Sequence, residues 1–318
     1  MKVIFALGRL GHRVAGYAMS TPRVSVVIPA FNRAGTIREA AESVLSQSFD
    51  DLELIVVDDG SSDGTLTALE AVSDSRLRVL ALRENRGVSV ARNRGIDAAR
   101  APWVAFQDSD DLWRRDKLAR QMALLEAPGA DYIAAYCGME ITKLDGGTRY
   151  VPDPTLHYRA GDVLPDLVFC SFISTQTLVV RRDVLETVGG FDEDQRALVD
   201  WELMLRVAQR GSIGLVDAPL VEQRFSENSI TRDAVRRVHA LARVVEMHGE
   251  VLDRYPGALA ARHYELSGGY RHCGDLERAV AHMAEARQRM PLRARWWLAA
   301  IWLQVLRVTR PTQPAAGR

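Results

Sequence analysis

The chain has 318 residues, 47% of them hydrophobic and 26% charged, enough for one large domain and a smaller appendage. Its 41 basic and 41 acidic side chains cancel to a formal net charge of zero, so no basic excess exists to hold a nucleic acid. The three cysteines, Cys137, Cys170 and Cys273, are scattered and lack metal-ligand spacing, which argues against a disulfide framework or a zinc site and predicts reduced packing residues of a cytoplasmic protein.

Residues 1–22 form an N-terminal extension. Its apolar start, Val3 to Leu7, is broken by Gly8-Arg9 and Gly11-His12-Arg13 before a signal-peptide core can form. Met19-Ser-Thr-Pro-Arg-Val-Ser reads as a second beginning, so the expectation is translation from Met19 or a disordered leader over residues 1–18.

From Val24 the chain alternates strand and helix patterns. Val24-Ser-Val-Val-Ile28 is a β-branched run ending at Pro29, and Ile37, Ala40, Ala41, Val44 and Leu45 then recur at helical spacing behind the capping-box pair Thr36 and Glu39. Leu52 to Val57, Leu77 to Leu82 and Trp103 to Phe106 are three further strand runs. Nearly continuous apolar strands separated by helices predict an α/β fold, with a parallel sheet covered on both faces.

Open parallel sheets bind ligands beyond the carboxyl ends of their strands. The polar clusters lie there: Pro29-Ala-Phe31-Asn32, Asp58-Asp59-Gly-Ser-Ser-Asp63 and Asp108-Ser-Asp110-Asp111. Carboxylates gathered this closely repel one another, and a divalent cation is the usual reason to collect them. The alternative is an acidic turn capping a helix predicted over Leu112 to Leu125. A turn with Gly60 accounts for one of Asp58 and Asp59 but poorly for both. The arginines between Arg76 and Arg100 read mostly as a solvated face. Asp200 opens another helical pattern, with Trp201, Leu205 and Ala208 behind it and Gly211 closing it, so a first-turn helix Asp is the plain alternative to a catalytic one.

Seven segments in order carry a resemblance: Val24-Ser-Val-Val-Ile-Pro-Ala-Phe-Asn32, Leu54-Ile-Val-Val-Asp-Asp-Gly-Ser-Ser-Asp-Gly-Thr65, Asn85-Arg-Gly-Val-Ser-Val-Ala-Arg-Asn93, Phe106-Gln-Asp-Ser-Asp-Asp111, Gly189-Gly-Phe-Asp-Glu193, Val199-Asp-Trp-Glu-Leu-Met-Leu-Arg206 and Glu227-Asn-Ser-Ile-Thr231. Together they resemble the family 2 glycosyltransferases, which have the GT-A fold, a Rossmann-like, mostly parallel sheet flanked by helices. The implied glycosyltransferase domain spans residues 23–233, with a helical region over 234–318.

The resemblance implies an inverting transfer of sugar from a nucleotide-diphospho-sugar, most often a UDP-sugar, to an acceptor hydroxyl on a glycan or lipid-linked molecule in cell-envelope polysaccharide synthesis. By similarity Pro29, Phe31 and Asn32 lie at the nucleotide, Asp59 accepts from the base, Arg92 approaches the nucleotide, and Asp108 reaches the ribose or the metal. Asp110, with Asp108, would hold Mn2+ or Mg2+ against the diphosphate, where a Lewis acid stabilises the departing charge. Asp200 would be the general base, and Asp111, Trp201, Arg224 and Ser226 donor or acceptor contacts.

Two departures weaken the likeness: Val199 stands where relatives carry a Glu before the base, and Ser226 where a His is common. The Gln-x-x-Arg-Trp motif and long membrane spans of the processive synthases do not occur, so single-sugar transfer is expected. A nucleotidyltransferase would need a Gly-rich phosphate loop after the first strand, and Pro29 to Gly35 lacks one. A degenerate, non-catalytic sugar-nucleotide binder acting through its helical tail is the remaining alternative.

From Ala234 the pattern is helical throughout. Tyr270 to Ala286, ending before Pro291, resembles part of one tetratricopeptide repeat without an array, and His263, His272 and His282 are expected at the surface or half-buried, without a ligand pattern. The last helix, Arg293 to Arg307, is too short to span a bilayer, and its tryptophans flanked by arginines suit either a membrane surface over residues 292–308, at the inner face of the cytoplasmic membrane, or a helix that covers the catalytic domain or makes a dimer.

Overall fold

The computed structural model describes residues 21–142, 146–223 and 233–309. The proposals for residues 1–18 and for Arg224 and Ser226 lie outside the described residues.

The chain divides into two compact units. The first begins with β1 (Val24–Ala30), α1 (Ile37–Leu45), β2 (Leu52–Asp58), α2 (Thr65–Glu70), β3 (Leu77–Ala81), α3 (Val88–Ala98) and β4 (Trp103–Phe106). It continues through β5 (Leu112–Trp113), α4 (Lys117–Leu125), β6 (Tyr132–Thr142), β7 (Thr148–Val151), α5 (Leu164–Leu167), β8 (Leu178–Arg181), α6 (Arg182–Val188), α7 (Val199–Val207) and β9 (Ser212–Gln223). The sheet order is β3-β2-β1-β4-β8-β6-β9-β5, with β7 on β6. β3, β2, β1 and β4 run parallel, as their nearly continuous apolar runs predict, while β8 enters antiparallel to β4 and β6, and β9 returns parallel to β6.

Every residue of β1 and β2 is buried. Val24, Val26 and Ile28 share one core with Ile37, Ala40, Ala41 and Val44 of α1 and Leu118 and Met122 of α4. On the other face α3 crosses β1 so closely that a Cβ at Gly95 would lie 2.2 Å from Val27 Cγ1. The polar residues inside these strands are matched: Glu53 accepts from Ser25 Oγ (2.7 Å), Arg78 Nη1 (2.8 Å) and Arg100 Nε (2.9 Å). Burial works to raise the Glu53 pKa, but these donors outweigh it and the carboxyl is held below its ordinary value. Arg78 and Arg100 therefore anchor a buried acid rather than lying on a purely solvated face.

The helix expected over Leu112 to Leu125 begins only at Lys117. Leu112 and Trp113 instead form β5, paired antiparallel with Glu222 and Val221, and the Trp113 indole donates to the Gln176 carbonyl at 3.0 Å. The acidic cluster is thereby separated from α4, and it is Asp116 that occupies the N-cap.

The second unit takes in 168–170, 195–198 and the C-terminal helices α8 (Ala234–Asp253), α9 (Ala258–His272), α10 (Leu276–Arg289) and α11 (Ala294–Thr309). Asp233 caps α8 and Asp275 caps α10, each accepting from the backbone N–H three residues on. His263, expected at the surface or half-buried, is buried, with its Nδ1 2.9 Å from Nδ1 of His282, whose ring stacks on Tyr270. Burial, with His282 beside it, lowers the His263 pKa to about 4. Cys137 is buried as a packing residue, but Cys273 is exposed. Among the described residues no helix is long and apolar enough to cross a membrane.

Candidate active site

The carboxyl ends of β1, β2 and β4 are held together by their own loops. At the end of β1 the backbone turns at Asn32, whose φ of 52° is in the left-handed region that Asn tolerates. The Asn32 N–H donates to Ser61 Oγ and its Oδ1 accepts from the Ser62 N–H, both at 2.9 Å. The neighbouring Arg33 and Ala34 N–H groups donate to Thr65 Oγ1 (2.7 Å) and Asp63 Oδ2 (3.1 Å). Pro29 lies two residues past the last β1–β4 pair, Val27 with Phe106, where its missing N–H leaves that ladder intact. Phe31 is exposed at the rim.

Asp58 and Asp59 are both buried where β2 ends. Asp59 accepts from the backbone N–H groups of Arg86 (2.9 Å) and Gly87 (2.8 Å), which fixes the loop entering α3. Burial pushes its pKa up against those two bonds. Gly60 must be glycine: its φ is 73°, and a Cβ there would sit 2.6 Å from the Glu84 carbonyl carbon.

Arg92, on α3, donates from Nη2 to Asp108 Oδ1 at 2.7 Å. Its guanidinium lies 5.2 Å from the centre of the Phe191 ring, which in turn meets Phe106 edge-on at 5.2 Å. Asn93 clasps Phe191 on both sides, accepting from its N–H (2.8 Å) and donating to its carbonyl (2.9 Å). Phe191 and Asn93 thus aim Arg92. Both lie inside the resembling segments Asn85 to Asn93 and Gly189 to Glu193, but spacing alone cannot show that those segments meet.

The acidic cluster splits by environment. Asp108 and Asp110 keep 30% and 21% of their side-chain surface open, and Asp110 lies 3.8 Å from Arg33 Nη2. Asp111 is buried: its Oδ2 accepts from Gln176 Nε2 (3.1 Å), and its carbonyl accepts from Gln107 Nε2 (2.7 Å). Trp201, expected as a ligand contact, is also buried, with its indole N–H given to the Leu167 carbonyl at 2.7 Å. These two side chains shape the site from within.

Asp200 stands in the first turn of α7, two residues after Leu198, whose φ is 57°. One carboxylate oxygen accepts from the Trp201 N–H at 2.8 Å. Burial raises the Asp200 pKa, with Arg92 pulling it down and Asp108 pushing it up. The helical start and the arginine–aspartate pair therefore act on one carboxyl group.

Among the described residues no group of three or more His, Cys, Asp or Glu side chains is gathered as a cation cage. A hard divalent ion bound chiefly by a substrate diphosphate needs only one or two carboxylates, and the partly exposed carboxylates of Asp108 and Asp110 fit that demand. Four buried polar atoms along this edge, Asp58 Oδ1, Ser89 Oγ, Arg92 Nε and Gln107 Oε1, have no hydrogen-bond partner among the described residues, which is the condition of a site built to receive polar groups.

A Rossmann-like parallel half-sheet with acids and the arginines Arg33 and Arg92 at its carboxyl edge is the GT-A architecture. The glycosyl transferase family 2 model matches residues 25–189, and the chain belongs to that family and is a glycosyltransferase. It is 39% identical over 215 residues to a putative teichuronic acid biosynthesis glycosyltransferase, TuaG of Bacillus subtilis, covering 66% of this chain and 82% of TuaG. It is 40% identical over 157 residues to the succinoglycan biosynthesis protein ExoO of Rhizobium meliloti, covering 49% of this chain but only 43% of ExoO. The fold is similar to that of the mannosyltransferase PcManGT from Pyrobaculum calidifontis in complex with GDP-Man and Mn2+, at 25% identity and a TM-score of 0.59 over 91% of this chain and 81% of that one.

Proposed function

We propose that the chain moves one sugar from a nucleotide-diphospho-sugar, UDP-linked, to an acceptor hydroxyl with inversion at the anomeric carbon. Asp200 takes the hydroxyl proton as the acceptor oxygen bonds to the anomeric carbon and the sugar–diphosphate bond breaks on the opposite side. Arg92 and Asp108 orient the nucleotide, and Asp59 accepts from the base. Asp110 and Asp108 would hold Mn2+ or Mg2+, which supplies positive charge to the departing diphosphate. What supports the reading is the Arg92–Asp108 pair, bonded at 2.7 Å, whose two charges both act on the Asp200 carboxyl.

The names of ExoO and TuaG, succinoglycan and teichuronic acid biosynthesis, favour a glycan acceptor, free or lipid-linked, in surface polysaccharide assembly. Asp200→Asn is the direct test of the base. Turnover should fall by roughly 10²–10⁴-fold while affinity for the donor is retained. Unchanged turnover would remove Asp200 from the chemistry, and a wild-type protein that binds a nucleotide-sugar but never turns it over would favour the non-catalytic binder.

A further inference from the structure

Helix α11 is apolar on two opposite sides. Trp296, Ala300 and Leu303 are buried, with Trp296 stacked on Tyr264 at 5.0 Å between ring centres. Around the helix from them, Leu298, Ile301, Trp302 and Val305 recur at spacings of three and four, continued by Val308. These residues are open: Leu298 is 70% exposed, Ile301 61%, Val305 52% and Val308 81%. A row of this kind is an interaction surface rather than scattered single apolar residues.

Charge identifies what covers it. Residues 292–309 carry Arg293, Arg295 and Arg307 and no acidic side chain. Two further arginines lie against the tryptophans of the same helix, Arg287 3.5 Å from the Trp297 ring centre and Arg271 4.9 Å from that of Trp302. The Trp297 indole N–H is satisfied by the Pro291 carbonyl at 2.8 Å. Exposed aliphatic side chains flanked by Trp302 with Arg271 and Trp297 with Arg287 match the boundary between acyl chains and anionic headgroups. At 16 residues the helix is about 24 Å long, short of the ~20 residues needed to span a bilayer, so it lies in the surface plane.

We propose that the Leu298–Ile301–Trp302–Val305–Val308 face of α11 docks the protein onto an anionic lipid bilayer. The proposal is independent of the transfer reading, because vesicle binding is read without donor or acceptor. The full chain is floated with vesicles of phosphatidylglycerol and phosphatidylcholine, and separately with phosphatidylcholine alone. Binding to the anionic vesicles should exceed binding to the neutral ones by about tenfold or more and weaken with salt. Because the substituted side chains are exposed, the triple variant Leu298→Glu, Ile301→Glu, Val305→Glu should keep its helical signal and lose flotation by a similar factor. A second variant, Arg293→Gln, Arg295→Gln, Arg307→Gln, should lose the preference for anionic vesicles. Absent flotation, or flotation unchanged in the first variant, would overturn the proposal. So would a concentration-dependent dimer abolished by the first variant without vesicle binding, which would make a second copy of the chain the occupant.

Discussion

The proposed base, Asp200, would work only when ionised, and its setting works against ionisation. Burial lifts its pKa further than the Trp201 N–H and Arg92 lower it. The ionised fraction therefore grows as pH rises through a value above the usual carboxylate pKa of about 3.9. The acid limb of kcat/KM should be displaced upward accordingly, and an acid limb at the ordinary carboxylate position would dismiss Asp200 as its source. The same burial makes the ionised group costly to the fold. Asp200→Asn, which can still accept from the Trp201 N–H, should be at least as stable as the wild type above that pKa, so lost turnover could not be blamed on unfolding.

Lys117 is the other buried charge with a consequence. Its ammonium is fully buried, donates to Gln121 Oε1 at 2.8 Å and lies 3.7 Å from the Trp113 ring centre. Burial lowers its pKa to about 8. Between that value and the ordinary value near 10.5 the unfolded chain binds the extra proton, so the contribution of Lys117 to stability rises with pH. Compared by urea unfolding at roughly pH 7 and pH 10, the wild type should gain on Lys117→Met by about 2–3 kcal/mol. A gap that does not change with pH would show an ammonium that is still solvated.

At the scale of elements, the packing of α3 on β1 decides where Arg92 stands, since Arg92 and Gly95 share that helix. The missing side chain at Gly95 sets the approach, with Val27 directly beneath. Gly95→Ala should cost about 1–3 kcal/mol through overpacking, despite the better helix propensity of Ala. Adding Val27→Ala should return part of that loss, and strictly additive effects in thermal unfolding would contradict the close contact.

The elements also mark what a sequence can reveal. The strands β1, β2, β3 and β4, the helix α1 and the three polar clusters at the strand ends follow from local pattern, because each is set by residues near in the chain. β5 does not, since Leu112 and Trp113 extend only by pairing with Glu222 and Val221, more than a hundred residues away. For the same reason a continuous helix from Leu112 was a reasonable local expectation that tertiary pairing overrides. The burial of Asp111 and Trp201 depends on Gln176 and the Leu167 carbonyl, and the His263–His282 pair on two helices packing together. None of these partners can be read from residue spacing.

At the scale of the whole molecule, a family 2 glycosyltransferase unit is joined to a helical unit whose last helix carries the exposed apolar face. Family membership was legible because seven short segments keep their order along the chain. The roles within the site were legible only as expectations, since distant segments such as Arg92 and Phe191 had to be brought together before one could be seen to aim the other.

In the proposed reaction the partly exposed carboxylates after β4 would hold a divalent cation against a nucleoside diphosphate. Binding of UDP, with GDP alongside, is measured calorimetrically with Mn2+ and with chelator, for the wild type and Asp110→Asn. Mn2+ should tighten wild-type binding by about tenfold or more, a coupling of at least ~1.4 kcal/mol, and Asp110→Asn should abolish most of that gain while the fold persists. Equal affinity with and without Mn2+, or a full metal effect in Asp110→Asn, would contradict the account.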